Sequence, residues 1–364
     1  MPRLQVTIVT SVHPLPRDLT TAAVVCDVPD AVVLRYDLGA EGLRRVVSDF
    51  GGLVEDVRVP LEHACLGCAQ REEIVPTVAA IAANERWSTL VLALPVGGDP
   101  TPVVAALTAA PELQDVAVLR GVVAAVDAGQ LVDDLLGEDL LSERGLGLGE
   151  DDERAVGEAL AEQLAEADVV LTDGVADRRG RDLMAHVCGP RVPVLGLEGV
   201  DPRVLTMPCG GEVRSAARAD PLTARRHPVT DTAQVWTLEL VSPRPFHSAR
   251  LLERIEDLGA GRLRARGTFR ITTRPHVVCA WEGAGGQLSV GEVGPWSPGD
   301  RGTHLVVTGT DWGERRRIQQ AFAEVLATRE EEQAVAATVG VEDGFEPWLG
   351  DRDAHLLHDP LEVE

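Results

Sequence analysis

The stretch "VTIVTSVHPLPRDLTTAAVV", residues 6–25, decides how this chain is read. An apolar run, Val6 to Val9, leads into a polar segment with two prolines and then an Ala/Val-rich segment. Many α/β proteins keep a phosphate-cradling loop in that place. Such a loop works because consecutive backbone N–H groups converge, glycines allow the dihedrals this needs, and a lysine reaches the outer phosphates. Residues 10–21, "TSVHPLPRDLTT", contain neither glycine nor lysine. Pro14 and Pro16 have no N–H to donate and fix φ near about −65°. The expectation is an α/β fold whose phosphate loop has lost its chemistry.

The neighbouring segments support that class. Val6 to Val9, Ala31 to Tyr36, Thr89 to Leu94, Val116 to Val126, Asp168 to Thr172 and Val192 to Leu197 read as apolar strands. Helical patterns at Glu72 to Ala83, Pro102 to Ala109 and Arg154 to Ala167 lie between them. Near-continuous Val/Leu/Ala runs spaced by helices predict a mostly parallel sheet with helices on both faces. From Glu198 to Thr232 the pattern dissolves into Pro, Gly, Arg and Asp, as a linker would. Beyond it come a strand (Val235 to Val241), a helix (Ser248 to Leu258), three or four strands between Arg262 and Thr308, and a helix from Gly313 to Ala327. This second pattern predicts a small α+β domain, an open sheet with helices on one side. The expected boundaries are 1–198, a linker at 199–232, 233–330 and a tail at 331–364.

At 364 residues the chain exceeds the roughly 250 to 300 residues at which single cores stop growing. Its 58 acidic and 34 basic residues leave a formal charge of −24, which repels phosphate backbones and anionic membranes, so neither nucleic acid nor membrane is an expected partner. Every basic residue other than histidine is arginine. No apolar run reaches the roughly 18 residues of a membrane span, and no signal-like segment opens the chain, so the expected location is cytoplasmic. Six cysteines (26, 65, 68, 188, 209 and 279) are too few and too scattered for a disulfide framework. Only Cys65 and Cys68 form a close pair.

Several segments, in order, resemble the CobW-type family of P-loop GTPases, relatives of UreG and HypB. They are "HACLGCAQREEIVPTV" (63–78), "VVAAVDAGQLVDDL" (122–135), "EQLAEADVVLTD" (162–173), "RPFHSARLLERIEDL" (244–258), "GRLRARGTFRITTRP" (261–275), "GDRGTHLVVTG" (299–309) and "DGFEPW" (343–348). The resemblance implies a P-loop NTPase-like domain followed by a CobW-type C-terminal domain, and a role in delivering metal ions, often zinc or cobalt, with GTP binding as the switch.

Aligned on Thr10, the family's phosphate loop falls on Ser11, Val12, His13, Pro14, Leu15, Pro16, Arg17 and Asp18. Arg17 brings charge, but its planar fork does not replace a compact ammonium. Asp18 stands where a hydroxyl would meet magnesium. The family's guanine reader falls on Thr172, Asp173, Gly174 and Val175, and a valine cannot read guanine. In "ALPVGGDP" (93–100) the family's glutamate is Ala93 while Asp99 and Pro100 remain; Asp127 keeps its type. Asp99 and Asp127 are thus the candidates for a residual nucleotide or magnesium site, and GTP with magnesium is not an expected cofactor.

The family's Cys-x-Cys-Cys metal motif is represented by "EHACLGC": Cys65 and Cys68 match its ends and Gly67 replaces its middle. Two thiolates on one turn can face one ion, with His63 or Glu62 as a third ligand. Structural thiols and a redox dithiol are the other readings of the pair. Zinc is the candidate metal, and a metal-requiring client protein or an intact paralogue the candidate partner. Two further roles stay open: an interaction subunit without metal transfer, and an active GTPase using Arg17.

Elsewhere packing is the expected role. His186 and Cys188 end a helix, Cys279 sits in the strand "HVVCAW", and Cys26 follows Val24 and Val25, so all are expected inside. His355 and His358 belong to a solvated tail, Asp300 and Arg301 to a turn. The strand "RLRARGTFR" (262–270) is either a docking edge or a strand with one solvated face. No Gly-x-Ser-x-Gly elbow, His-Glu-x-x-His helix or Gly-x-Gly-x-x-Gly turn supports an unrelated enzyme.

Overall fold

The computed structural model describes residues 3–39, 42–59, 73–147, 152–206, 220–297, 302–335 and 342–351. The chain divides into two compact units, residues 1–219 and 220–364. No helix among the described residues is long and apolar enough to cross a membrane.

In the first unit β1 (Leu4–Thr10), α1 (Pro14–Asp27), β2 (Ala31–Gly39), β3 (Gly42–Asp49) and β4 (Gly52–Val59) come first. They are followed by α2 (Val75–Ala83), β5 (Thr89–Ala93), α3 (Thr101–Ala109), β6 (Ala117–Asp127), α4 (Leu131–Leu136), α5 (Val156–Glu166), β7 (Val169–Asp173), α6 (Arg178–Cys188) and β8 (Val194–Gly196). The eight strands form one sheet in the order β4-β3-β2-β5-β1-β6-β7-β8. From β2 to β8 all neighbours are parallel, whereas β3 and β4 are antiparallel additions at one edge. Ile8, Leu34 and Leu92 face Ile74, Val78 and Val103 on one side of the sheet. Val9, Val33, Val91 and Leu171 face Val24 and Leu205 on the other. Burial on both faces is why these strands read as continuous apolar runs.

Three details differ from expectation. The β3–β4 hairpin is absent from the strands expected above, because it carries six charged side chains and one face of it remains in solvent. Residues 14–18, expected in a loop, are the opening of α1: Pro14 stands at a position where a fixed φ favours the helix and a missing N–H costs nothing. Cys26, expected inside, is exposed, since α1 turns residues 15, 19, 22 and 26 outward.

The second unit contains β9 (Trp236–Ser242), α7 (Ser248–Gly259), β10 (Leu263–Phe269), β11 (Val277–Ala284), β12 (Gln287–Pro295), β13 (Thr303–Gly309), α8 (Trp312–Val325), α9 (Arg329–Val335) and α10 (Glu346–Leu349). Its sheet, β12-β11-β10-β13-β9, is antiparallel throughout. The α+β expectation is met. Phe246 lies 5.6 Å from Phe269 and 5.7 Å from Phe322, and Phe269 meets Trp281 edge-on at 5.6 Å, a core of aromatic pairs. Asp311 accepts from the N–H of Gly313 at 2.6 Å and caps α8.

β10 is the central strand, so the docking-edge reading of "RLRARGTFR" is corrected. Arg264 is buried and meets Glu282 at 2.7 Å. At Gly267, in the middle of β10, φ is +146°, and an added Cβ would sit 2.0 Å from the His304 carbonyl oxygen on β13. Gly267→Ala is expected to lower stability by about 2 kcal/mol through strain and clash, read as a fall in urea midpoint at unchanged slope.

Candidate functional site

The C-terminal ends of the parallel strands, where open α/β sheets bind ligands, gather around the β1–α1 connection. That connection has only three residues, Ser11, Val12 and His13, and Ser11 and Val12 are buried. The Ser11 hydroxyl donates to the Ala125 carbonyl at 2.6 Å and accepts from the N–H of His13 at 3.0 Å. The Ser11 carbonyl accepts from the N–H of Gly97 at 2.9 Å. Gly98 is held in turn, its carbonyl accepting from the Thr10 hydroxyl and the Gln163 amide, both at 3.1 Å. The segment after β5 is thereby fastened directly onto the segment after β1.

Phosphate needs free N–H groups here. The N–H of His13 is taken by Ser11, and Pro14 and Pro16 have none. Arg17 is 3% exposed and points into the sheet. It donates to the carbonyls of Leu94 (3.1 Å) and Tyr36 (3.4 Å), to Asp18 at 3.0 Å and to Asp37 at 2.9 Å. Asp18 also faces Arg35 at 3.7 Å. Arg17 and Asp18 therefore belong to an internal network tying α1 to the ends of β2 and β5.

His13, at the N-terminus of α1, meets Asp134 of α4 through Nε2 at 2.7 Å. The Asp134 carboxylate is buried, and its second oxygen is taken by Arg144, which also binds Asp139 at 2.9 Å. Asp134 and Arg144 were not singled out in the sequence; neither has a local signature, because the contacts join separate segments. Asp127 caps its own turn: one oxygen accepts from Gly129 (2.8 Å) and Gln130 (3.3 Å), the other from the Gln130 amide (3.1 Å). Burial raises the Asp127 pKa, but these hydrogen bonds and nearby His13 outweigh it and hold the carboxyl below its usual range. Asp99 accepts from the N–H of Thr101 at 2.8 Å, at the start of α3. Both residual candidates thus have a local structural role, and they are tied to different turns.

Among the described residues no group of three or more His, Cys, Asp or Glu side chains is arranged to hold a metal. Glu62, His63, Cys65 and Cys68 lie outside the described residues, as do Cys209, Asp300, Arg301, His355 and His358. His186 and Cys188 are buried, as expected. Cys279 is fully buried, and that burial pushes its thiol up to about 12, so it is no thiolate at neutral pH.

Residues 43–182 match the CobW/HypB/UreG nucleotide-binding domain, and residues 235–326 match the C-terminal domain of the cobalamin synthesis protein cobW. The chain is 24% identical over 265 residues to a Dictyostelium discoideum protein named zinc-regulated GTPase metalloprotein activator 1, across 65% of this chain and 54% of that protein. It thus spans about half the length of that relative. Zn(II)-bound YjiA GTPase from E. coli and a triple mutant of it each align over 90% of this chain and 100% of theirs, at 16% identity and a TM-score of 0.39. With both domain models matched in order along one chain, this protein belongs to the CobW-type P-loop GTPase family.

Proposed function

We propose that this chain handles zinc, or a similar transition metal, through Cys65 and Cys68 without a GTP switch of its own. The observation that carries this reading is the β1–α1 junction. There the chain's own hydroxyls, carbonyls and N–H groups satisfy one another, prolines stand at the helix opening, and Arg17 is engaged inside the sheet. These residues do not fit a bound triphosphate, since a seated phosphate would have to displace that network. The zinc half of the reading draws on the Cys-x-x-Cys pair and on the zinc named in the relative. Two thiolates, His63 and Glu62 offer zinc up to four ligands. Any of them that stays off the metal leaves a position for a ligand from a client protein or an intact paralogue.

Calorimetry of the full chain tests both halves. Titration with Mg-GTP to millimolar concentration is expected to release no binding heat, and titration with zinc to show about one ion per chain. The Cys65→Ser, Cys68→Ser double variant should lose the zinc isotherm, because thiolates dominate a soft site. Saturable GTP binding would refute the switchless half; zinc binding unaffected by the double substitution would refute the other.

A further inference from the structure

We propose that His304 is a pH-operated latch on the segment through which the chain enters the second unit: as a neutral ring it holds Arg225, and on gaining a proton it lets that arginine go. This goes beyond the metal reading and does not rest on it.

Residues 220–235 lead from the boundary between the units into β9. They start with a single turn, Pro221–Thr223, capped by Asp220, whose carboxylate accepts from the N–H of Leu222 at 2.9 Å. This turn lies against β10 and β11, and Ala224 behind it is buried. The end of the segment is fastened separately: Asp231 accepts from the N–H of Thr237 at 3.1 Å, and the Ala233 carbonyl accepts from the Trp312 indole at 3.3 Å. Between these anchors Arg225 reaches His304 of β13, its Nη1 lying 3.1 Å from Nδ1 of the ring. The same Nη1 donates to the carbonyls of Leu222 (3.2 Å) and Ala224 (2.6 Å), so the arginine also staples its own turn.

A guanidinium only donates hydrogen bonds. Nδ1 of His304 is therefore the acceptor, which puts the ring proton on Nε2, and Nε2 lies 2.8 Å from a carboxylate oxygen of Glu239 on β9. Between them the two neighbours select one neutral tautomer. Protonation affects them in opposite ways: the Nε2–H bond to Glu239 survives and becomes an ion pair, whereas Nδ1 changes from acceptor to donor and confronts a cationic donor at 3.1 Å. The ring keeps Glu239 and expels Arg225. The neighbouring charges are engaged elsewhere. Arg226 is held by Asp231 at 2.7 Å. On β10 the register partner of His304 is Thr268, and Arg266, two residues before it, faces Glu282 at 3.6 Å. The register partner on β9 is the uncharged Val241. Histidine is the side chain that ordinarily changes charge between roughly pH 5 and 8, and this one is 20% exposed, within reach of solvent protons.

Limited trypsin digestion of the full chain in EDTA reads the latch, because Arg225 and Arg226 are themselves cleavage sites. Cleavage rates at these two bonds are mapped by mass and normalised to a free peptide of residues 220–232, which removes the protease's own pH dependence. They are expected to rise at least about threefold from about pH 8 to about pH 5.5, a modest factor because the contact is exposed. Cleavage after Arg316, inside α8, should stay slow at both pH values. His304→Gln, with no proton to gain, should abolish the rise, and His304→Lys, cationic throughout, should be cut fast even at the higher pH. A parent rate independent of pH, the same rise in His304→Gln, slow cleavage of His304→Lys at the higher pH, or an equal rise at Arg316 would overturn the proposal. Because EDTA removes metal and no nucleotide is added, failure here leaves the calorimetric test of the metal reading intact.

Discussion

Arg274→Met is expected to destabilise the second unit by about 3–5 kcal/mol, the range for removing one partner of a buried ion pair. The Arg274 and Asp343 side chains are 1% and 0% exposed. The guanidinium donates to both oxygens of Asp343, at 3.0 and 3.2 Å, and to the carbonyls of Leu349 (2.9 Å) and Gly350 (2.8 Å). Asp343 also accepts from the Thr273 hydroxyl at 2.6 Å and the N–H of Phe345 at 3.0 Å. This network holds the "DGFEPW" segment, with Phe345 fully buried, against the sheet. Methionine would fill part of the volume, leave the buried Asp343 carboxylate without its counter-charge and take the guanidinium donors away from two carbonyls.

The same pair sets an acid limit on stability. Burial raises the Asp343 pKa, but the hydrogen bonds from Arg274, Thr273 and Phe345 outweigh it and hold the folded-state value below that of the unfolded chain. Its stabilising contribution is therefore full above the unfolded value of about 3.9, and is lost as pH falls below this through the folded value. Urea unfolding at neutral pH and at pH 3 reads both effects. Arg274→Met with Asp343→Leu should be less damaging than Arg274→Met alone, since no charge is then stranded. A single-variant loss under 1 kcal/mol at neutral pH would remove the pair from its assigned role.

The central parallel strands were legible because burial on both faces leaves a sequence mark that needs no partner to interpret. β5, with all five residues buried, is the plainest case. β3 and β4 were not legible, because at an edge the residues facing solvent interrupt the apolar run; Arg44, Arg45, Glu55, Asp56 and Arg58 read as surface without showing that they pair across a hairpin. α1 was masked by two prolines that ordinarily mark a loop yet suit a helix opening. The site was half legible. The missing glycines and lysine could be read directly, but what replaced them could not: Ser11 reaches Ala125, His13 reaches Asp134 and Arg17 reaches Leu94, contacts 77 to 121 residues apart along the chain.

Arg17 decides between a structural and a nucleotide-binding junction. As a structural cation it holds the ends of β2 and β5 through the Tyr36 and Leu94 carbonyls, and balances Asp18 and Asp37. Arg17→Met is then expected to cost about 2–4 kcal/mol, since it strands buried acceptors beneath α1. Arg17→Lys should recover only part of that loss, because one compact ammonium cannot serve two carbonyls and two carboxylates at fork geometry. Neither variant should alter the response to Mg-GTP. A phosphate-binding arginine would behave in the opposite way: Arg17→Met would abolish a measurable nucleotide isotherm at little cost in stability, and Arg17→Lys, which restores the side chain phosphate loops normally use, would retain or strengthen it. Urea unfolding and Mg-GTP calorimetry on the same two variants separate these cases, because the structural role puts the whole effect in the first measurement and the nucleotide role puts it in the second.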